Sequence, residues 1–212
     1  MYYNWEKGIN AEELKNVANL IKNGEIIVFP TETVYGIGAN ALNSEAVSKI
    51  FSAKERPSDN PLIVHIANKE DVYKIVETPS QLEQKIMDEF MPGPITIILK
   101  KKSIIPDIVS AGLDTVGIRM PSNIIAHEII ETAGVPIAAP SANISGRPSG
   151  TRIQDIREEL EKKVSVIIDG GISEYGLEST VVKVENEIPE ILRPRKNNAR
   201  TNRKIVRKGE CK

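Results

Sequence analysis

Leu14, Val17 and Ile21 recur on one side of a helical period between Asn10 and Gly24, with charged and amide side chains between them. This spacing predicts an amphipathic helix opened by an Asn10/Glu13 variant of the capping box. The period then changes. Glu25-Ile-Ile-Val-Phe-Pro30 is an uninterrupted apolar run, as in a strand covered on both faces, and it feeds a polar, glycine-containing turn over residues 31–38. Helical spacing returns at Val47, Ile50 and Phe51, with Ser44 as the cap and Pro57 as the stop, so this helix should end near Lys54. Pro61-Leu-Ile-Val-His-Ile66 reads as a strand whose alternation sets Ile63 and His65 on one face and Leu62, Val64 and Ile66 on the other.

Ser80-Gln-Leu-Glu83 is a full capping box for a helix running to Phe90, stopped by Pro92-Gly93-Pro94. Ile95-Thr-Ile-Ile-Leu99 and Val116-Gly-Ile-Arg-Met120 predict strands, followed by a helix over 124–132 with Gly134 as its terminator. Pro136-Ile-Ala-Ala-Pro140 is a small-residue strand that runs into the Ser/Asn/Gly/Pro-rich stretch 141–150. A helix on Ile153, Ile156 and Leu160, a strand over 164–168 and a closing pair over 179–184 and 188–192 complete the chain. Strands alternate with helices, which defines an α/β protein. The short Glu185-Asn-Glu turn between the last two strands makes the sheet mixed, so the expected fold is a twisted, mixed, open sheet with flanking helices. Polar loops recur at strand ends, where sites in such sheets form.

Composition narrows the class. With 212 residues, 27% charged and 40% hydrophobic, the chain can build a sizeable core without a disulfide or a structural metal. The single cysteine, Cys211, excludes an internal disulfide and a cysteine-based zinc site, and suits a reducing, cytoplasmic setting. No window approaches the roughly 18 apolar residues of a membrane span, and the first residues lack the charged-then-apolar pattern of a signal peptide. The net charge of −1 conceals a division: residues 193–212 carry nine Lys/Arg against one acid, a surplus of +8, and the preceding 192 carry 19 bases and 28 acids, or −9. A basic end of this kind suggests nucleic acid or a solvated tail.

Several familiar chemistries are absent. Gly36-Ile-Gly38 lacks the third glycine and the helix of a dinucleotide fingerprint, and there is no phosphate-binding G-x-x-x-x-G-K-S/T loop. His127-Glu128 has no second histidine four residues on, which excludes that zinc motif and leaves His127 as a surface residue. Ser141 has no nucleophile-elbow context. What remains is cationic. Lys54 and Arg56 flank a helix terminus before a rigid turn carrying Asn60, either to offset the helix dipole or to meet phosphate. His65 is either a satisfied core residue or ligand-facing. Arg119, inside an apolar strand, demands a carboxylate partner from the protein or from a ligand, and the ligand is favoured.

Taken in order, Pro30-Thr-Glu-Thr-Val-Tyr-Gly36, Lys54-x-Arg56, Pro92-Gly-Pro94, Gly117-Ile-Arg119-Met-Pro121, Ala139-Pro-Ser141-Ala-Asn143-x-Ser145-Gly and Glu178-Ser-Thr180 resemble the YrdC-like family, the threonylcarbamoyl-AMP synthases. The match runs from about residue 10 to residue 194. The resemblance implies the YrdC/RibB-like fold, with its sheet around a large cationic cavity. It also implies condensation of L-threonine, bicarbonate and ATP into threonylcarbamoyl-AMP and pyrophosphate, with Mg2+ accompanying the ATP. A downstream tRNA threonylcarbamoyl transferase machinery would then modify adenosine 37 of tRNAs that read codons starting with A.

Residue by residue, the resemblance implies that Lys54, Arg56, Ser141 and Asn143 form the catalytic set. Lys54, Arg56, Asn60, Thr115, Ala139, Ser141, Ser149 and Arg193 would contact ATP, Thr33, His65, Arg119 and Ser179 would contact L-threonine, and Tyr35 would wall the pocket. The catalytic unit is expected over residues 1–194, with a basic, flexible tail over 195–212 that offers a tRNA contact. Longer relatives continue at that point into a linker and a second domain, so the single-domain form is expected. The family's usual Arg-Pro-Gly is replaced here by Arg193-Pro194-Arg195. The alternative reading is an RNA-binding module, for double-stranded RNA or tRNA, without synthase activity.

Overall fold

A computed structural model describes residues 1–146 and 150–195. The elements in order are β1 (Tyr2–Asn4), α1 (Ala11–Lys22), β2 (Ile27–Phe29), β3 (Gly36–Asn40), α2 (Ser44–Lys54), β4 (Ile63–His65), α3 (Val72–Ile75), α4 (Gln81–Phe90), β5 (Ile95–Lys100), α5 (Asp107–Ser110), β6 (Thr115–Arg119), α6 (Ile124–Ala133), β7 (Ile137–Ala138), α7 (Ile153–Leu160), β8 (Val166–Asp169), β9 (Thr180–Glu185) and β10 (Ile188–Arg193). The strands form one ten-stranded sheet in the order β1-β8-β2-β3-β7-β4-β6-β5-β9-β10. It is mixed, as expected: β1/β8, β2/β8, β4/β6 and β5/β9 are parallel and the remaining pairs antiparallel.

Local chemistry sets the helix ends. Asn10 accepts from the Glu12 and Glu13 amides, but the capping box is not reciprocal, because Glu13 instead accepts from Trp5 Nε1 at 2.6 Å. Ser80 and Glu83 do complete theirs, with 2.6 and 3.2 Å bonds. The cap of α2 is Asn43 rather than Ser44, since the Asn43 amide oxygen reaches the backbone N–H groups of Glu45 and Ala46. Gly134, at φ +63°, closes α6 in the left-handed conformation that favours glycine. The turn assigned to residues 31–38 is shorter than expected, because β3 begins at Gly36, and the strand over 136–140 contracts to Ile137–Ala138. The basic tail lies outside the described residues beyond Arg195, as does Cys211.

The apolar run of β2 is buried on both faces. Val28 joins a large cluster with α2, α4 and the inward side of β4, β5 and β6, while Ile27 and Phe29 join a second cluster with α1 and α6. That second cluster includes no residue of β4, β5, β6 or β9. On this face those strands carry His65, Thr96, Gly117 and Arg119 alongside Ile63 and Ile98. The half of the face that α1 and α6 do not use is where the site forms. Among the described residues no helix is long and apolar enough to cross a membrane.

Candidate active site

Parallel pairing of β4 with β6 places His65 directly opposite Arg119, the last residues of both strands. Alternation sorts the β4 side chains as expected: Leu62, Val64 and Ile66 enter the core, and Ile63 and His65 face a cavity of about 220 Å³. The loops that close this cavity come from distant parts of the chain. Gly36 bridges Ser141, and the Ala142 amide donates to the Tyr35 carbonyl at 2.7 Å, so β3 fixes the loop after β7. Gly36 and Gly38 belong to this packing: a Cβ on Gly38 would lie 2.7 Å from both Ile137 and Phe29.

The cavity brings together Thr33, Tyr35, Arg56, Asn60, His65, Arg119, Ala139, Ser141, Ser179 and Arg193, so every threonine contact implied by the resemblance lines it. A neighbouring cavity of about 320 Å³ shares Arg56, Asn60 and Ser141 and adds Lys54, Asp59 and Asn143. Ligand pockets for molecules of drug size occupy about 300–1,000 Å³, a range that the second chamber enters and the first does not reach alone. Thr115 lines neither. It begins β6 on the same face as Gly117 and Arg119, roughly 13 Å along the strand from Arg119 at about 3.3 Å per residue. Ser149 lies outside the described residues.

The cations differ sharply in surroundings. Arg119 has a protein partner: its Nη2 lies 2.7 Å from Glu32 Oε1, with the two side chains 5% and 3% exposed. Of the two sources that the sequence left open, the protein thus supplies one carboxylate. Yet Arg119 Nε and Nη2 and both Glu32 oxygens, all sealed from solvent, lack an aligned hydrogen bond, so the pair is held by charge at contact distance, while Arg119, a five-donor fork, also lines the cavity. His65 is buried beside it, with Nδ1 unbonded. Burial, and then the Arg119 charge, push the imidazole pKa down to about 3, so it stays neutral across the physiological range.

Lys54 is 2% exposed and does not reach toward solvent. Its ammonium donates to the carbonyls of Ser141 and Asn143, and Ser141 Oγ donates to Asn143 Oδ1 at 2.6 Å. The backbone is drawn in as well, because the Ser145 amide donates to the Lys54 carbonyl at 2.9 Å. Burial, and then the Arg56 charge, lower the Lys54 pKa to about 8. Glu55, at φ +52°, turns the chain between the two cations. Lys54 therefore enters the loop network while Arg56 faces both cavities, its Nη2 donating to the Asn60 carbonyl at 3.3 Å.

At the mouth, Arg193 donates through Nε to the Ser179 carbonyl at 3.1 Å and through Nη2 to Ser179 Oγ at 3.2 Å, and it pairs with Glu178. Ser179 Oγ is also hydrogen-bonded to Thr96 Oγ1 at 2.7 Å. Arg195, which stands where the family usually has glycine, lies 4.0 Å over the Tyr175 ring. Tyr35 walls the cavity, but its hydroxyl is committed elsewhere, donating to the Gly171 carbonyl at 2.6 Å and accepting from the Gly170 amide. Glu32 and Glu178 were both visible inside motifs that the sequence singled out, yet neither was assigned a role. The available signal was an acid placed among cations that would otherwise stand uncompensated.

An open α/β sheet whose uncovered face gathers arginine, hydroxyl and amide groups has the donors to meet an anion. A family profile, Sua5_yciO_yrdC, described as "Telomere recombination", matches residues 19–194, and the chain belongs to this Sua5/YciO/YrdC family. It is 44% identical over 191 residues to a threonylcarbamoyl-AMP synthase of Pyrococcus abyssi, covering 90% of this chain and 56% of that protein. A Bacillus subtilis protein of the same name is 45% identical over 89% of this chain and 55% of its own length. The chain thus spans a little over half the length of these curated relatives. A Methanocaldococcus jannaschii protein named as a putative threonylcarbamoyl-AMP synthase is 43% identical and is covered over 86% of its length. Among solved structures, P. abyssi Sua5 complexed with L-threonine is similar at a TM-score of 0.89 and 44% identity, covering 92% of this chain and 57% of that one. Escherichia coli YciO, at 22% identity and a TM-score of 0.82, shares the fold.

Proposed function

We propose that this domain is a threonylcarbamoyl-AMP synthase, joining L-threonine, bicarbonate and ATP into threonylcarbamoyl-AMP with release of pyrophosphate. The observation that carries the reading is Arg119: a buried guanidinium beside neutral His65, with donors unspent, facing the cavity in a family whose P. abyssi member has been crystallised with L-threonine. A planar guanidinium suits the amino-acid carboxylate, which it can bind through parallel hydrogen bonds. Thr33 and Ser179 supply hydroxyls along the same wall.

The threonine amine and bicarbonate first form a carbamate with loss of water; a carbamate oxygen then forms a bond to the α-phosphorus of ATP as the bond from that phosphorus to the bridging oxygen breaks and pyrophosphate leaves. Such a displacement asks the protein for alignment and for charge along the phosphates more than for proton transfer. Arg56 and Arg193, with Asn60 and Ser141, would meet the phosphates, whereas Thr115, which lines neither chamber, is left out of this reading. Lys54 acts through the loop it holds, setting Ser141 and Asn143 in place. Magnesium would arrive on the phosphates: the carboxylates of the two chambers are Asp59 and Glu178, and no cluster of potential metal ligands occurs among the described residues. It would neutralise phosphate charge and orient the leaving pyrophosphate.

The product is a reactive mixed anhydride, so a transferase that passes the threonylcarbamoyl group to tRNA must consume it. Residues 1–194 form the synthase unit in this reading, with the basic end as an accessory contact to tRNA. The test is pyrophosphate release from ATP by the purified protein. It should require both L-threonine and bicarbonate, and release indifferent to threonine overturns the proposal.

A further inference from the structure

Glu32 is the unexplained member of the site. It is 3% exposed, meets Arg119 at 2.7 Å, and is not among the residues that line the cavity. Its main chain is anchored on either side. Thr31 Oγ1 donates to the Val34 carbonyl at 2.6 Å and accepts from the Thr33 and Val34 amides, while the Glu32 carbonyl receives the Tyr175 amide at 2.9 Å. The turn is therefore a rigid mount whose central side chain is aimed at one partner, the guanidinium at 2.7 Å.

A carboxylate buried this deeply is costly unless its contact serves a purpose. Without Glu32, Arg119 would be an uncompensated charge beside a neutral histidine and free to turn toward any carbonyl in reach. With it, Arg119 is neutralised while the site is empty, and its plane is fixed while donors remain for an incoming carboxylate. We infer that Glu32 is a positioning residue for amino-acid binding: it holds the Arg119 guanidinium in the orientation that receives the substrate's carboxylate. The inference rests on the threonine-dependent reading above and goes beyond it, because Glu32 is not among the residues that line the cavity.

The test is steady-state kinetics and direct L-threonine binding by calorimetry on wild type, Glu32→Gln and Glu32→Asp, with thermal unfolding alongside. Glutamine keeps the shape and loses the charge, and should raise the KM and Kd for threonine by roughly 10- to 100-fold, the range for a hydrogen-bonded charge that is lost. The KM for ATP should stay within about twofold, because the phosphate chamber is untouched. Aspartate keeps the charge at shorter reach and should recover part of the loss. Threonine affinity that is unchanged or tighter in a folded Glu32→Gln variant overturns the inference, tighter binding meaning that Glu32 competes with the ligand. Equal weakening for ATP and threonine also overturns it, since that pattern marks a structural role. If Glu32→Gln does not fold, Glu32→Asp carries the test through the same split between the two substrates. Wild type that fails to bind threonine removes the functional reading itself, an outcome distinct from any of these.

Discussion

The Arg119–Glu32 and Arg193–Glu178 pairs bracket one cavity, and both join an arginine to a carboxylate only a short loop from its strand end. They are nonetheless built for different work. The inner side chains are 5% and 3% exposed, and the outer ones 40% and 42%. Inside, desolvation makes each charge dependent on the other, so the pair has a fixed geometry and one task. At the mouth, water screens both partners and the arginine makes further bonds to Ser179, so the pair can open at little cost. A site of the kind proposed, holding a small amino acid in one orientation while admitting and releasing a polyanion, would benefit from having one of each.

The strongest way to break this comparison is Arg119→Ala. It leaves the Glu32 carboxylate buried without a counter-ion and should cost about 3–5 kcal/mol, which for a chain of this size lowers the midpoint of thermal unfolding by roughly 10 °C. Threonine-dependent pyrophosphate release should vanish with it. A variant as stable as wild type by calorimetry would show that the inner pair does not differ from the outer one.

Lys54 sharpens the comparison, because it is buried like Arg119 but is held by carbonyls in place of a carboxylate. Lys54→Met strands the Ser141 and Asn143 carbonyls, at about 1–3 kcal/mol for each group left unsatisfied, and should slow pyrophosphate release. The pH dependence has a definite sign. The folded pKa of about 8 is below the ordinary 10.5, so between those values the unfolded chain binds the extra proton. This group's contribution to stability therefore rises with pH from about 8 to 10.5. Activity should fall over the same window as the ammonium is lost. Urea unfolding and initial rates measured across it should move in opposite directions, and Lys54→Met should lose the stability trend.

The smallest effect belongs to the mouth. Glu178→Gln should change unfolding free energy by no more than about 1 kcal/mol. By removing the carboxylate that competes for Arg193, it should lower the KM for ATP by roughly two- to fivefold, an advantage that fades as salt is added. A weaker ATP affinity in this variant would place Glu178 among the nucleotide's partners instead.

Much of this was legible in the chain, for identifiable reasons. Ser80 with Glu83, and Gly134 after α6, are local signals satisfied within a few residues, and they were realised as read. The alternation of Ile63, Val64 and His65 is equally local, and it correctly separated core from cavity. Errors arose where a local signal had two meanings. Gly36 and Gly38 read as a turn, yet they are glycines inside β3 because Phe29 and Ile137 occupy the space a side chain would need at Gly38. Asn43 and Ser44 can each cap a helix, and only the backbone decides between them. In the site, the need of Arg119 for a carboxylate was plain, but its source was not, because Glu32 arrives across the sheet from 87 positions earlier in the numbering. The direction of Lys54 was hidden for a similar reason. The left-handed Glu55 parts it from Arg56, and no propensity favours that conformation for glutamate.

The grip of Lys54 on the loop after β7 has a mechanical meaning. One residue takes hold of that loop twice, through its ammonium on Ser141 and Asn143 and through its carbonyl on the Ser145 amide. A tether at two points transmits rotation as well as displacement, so the end of α2 and the loop must travel as a single lever. Arg56 rides on the same lever beyond the Glu55 bend. The positions of Ser141 and Arg56, which line the same two cavities, are thereby tied to each other through Lys54.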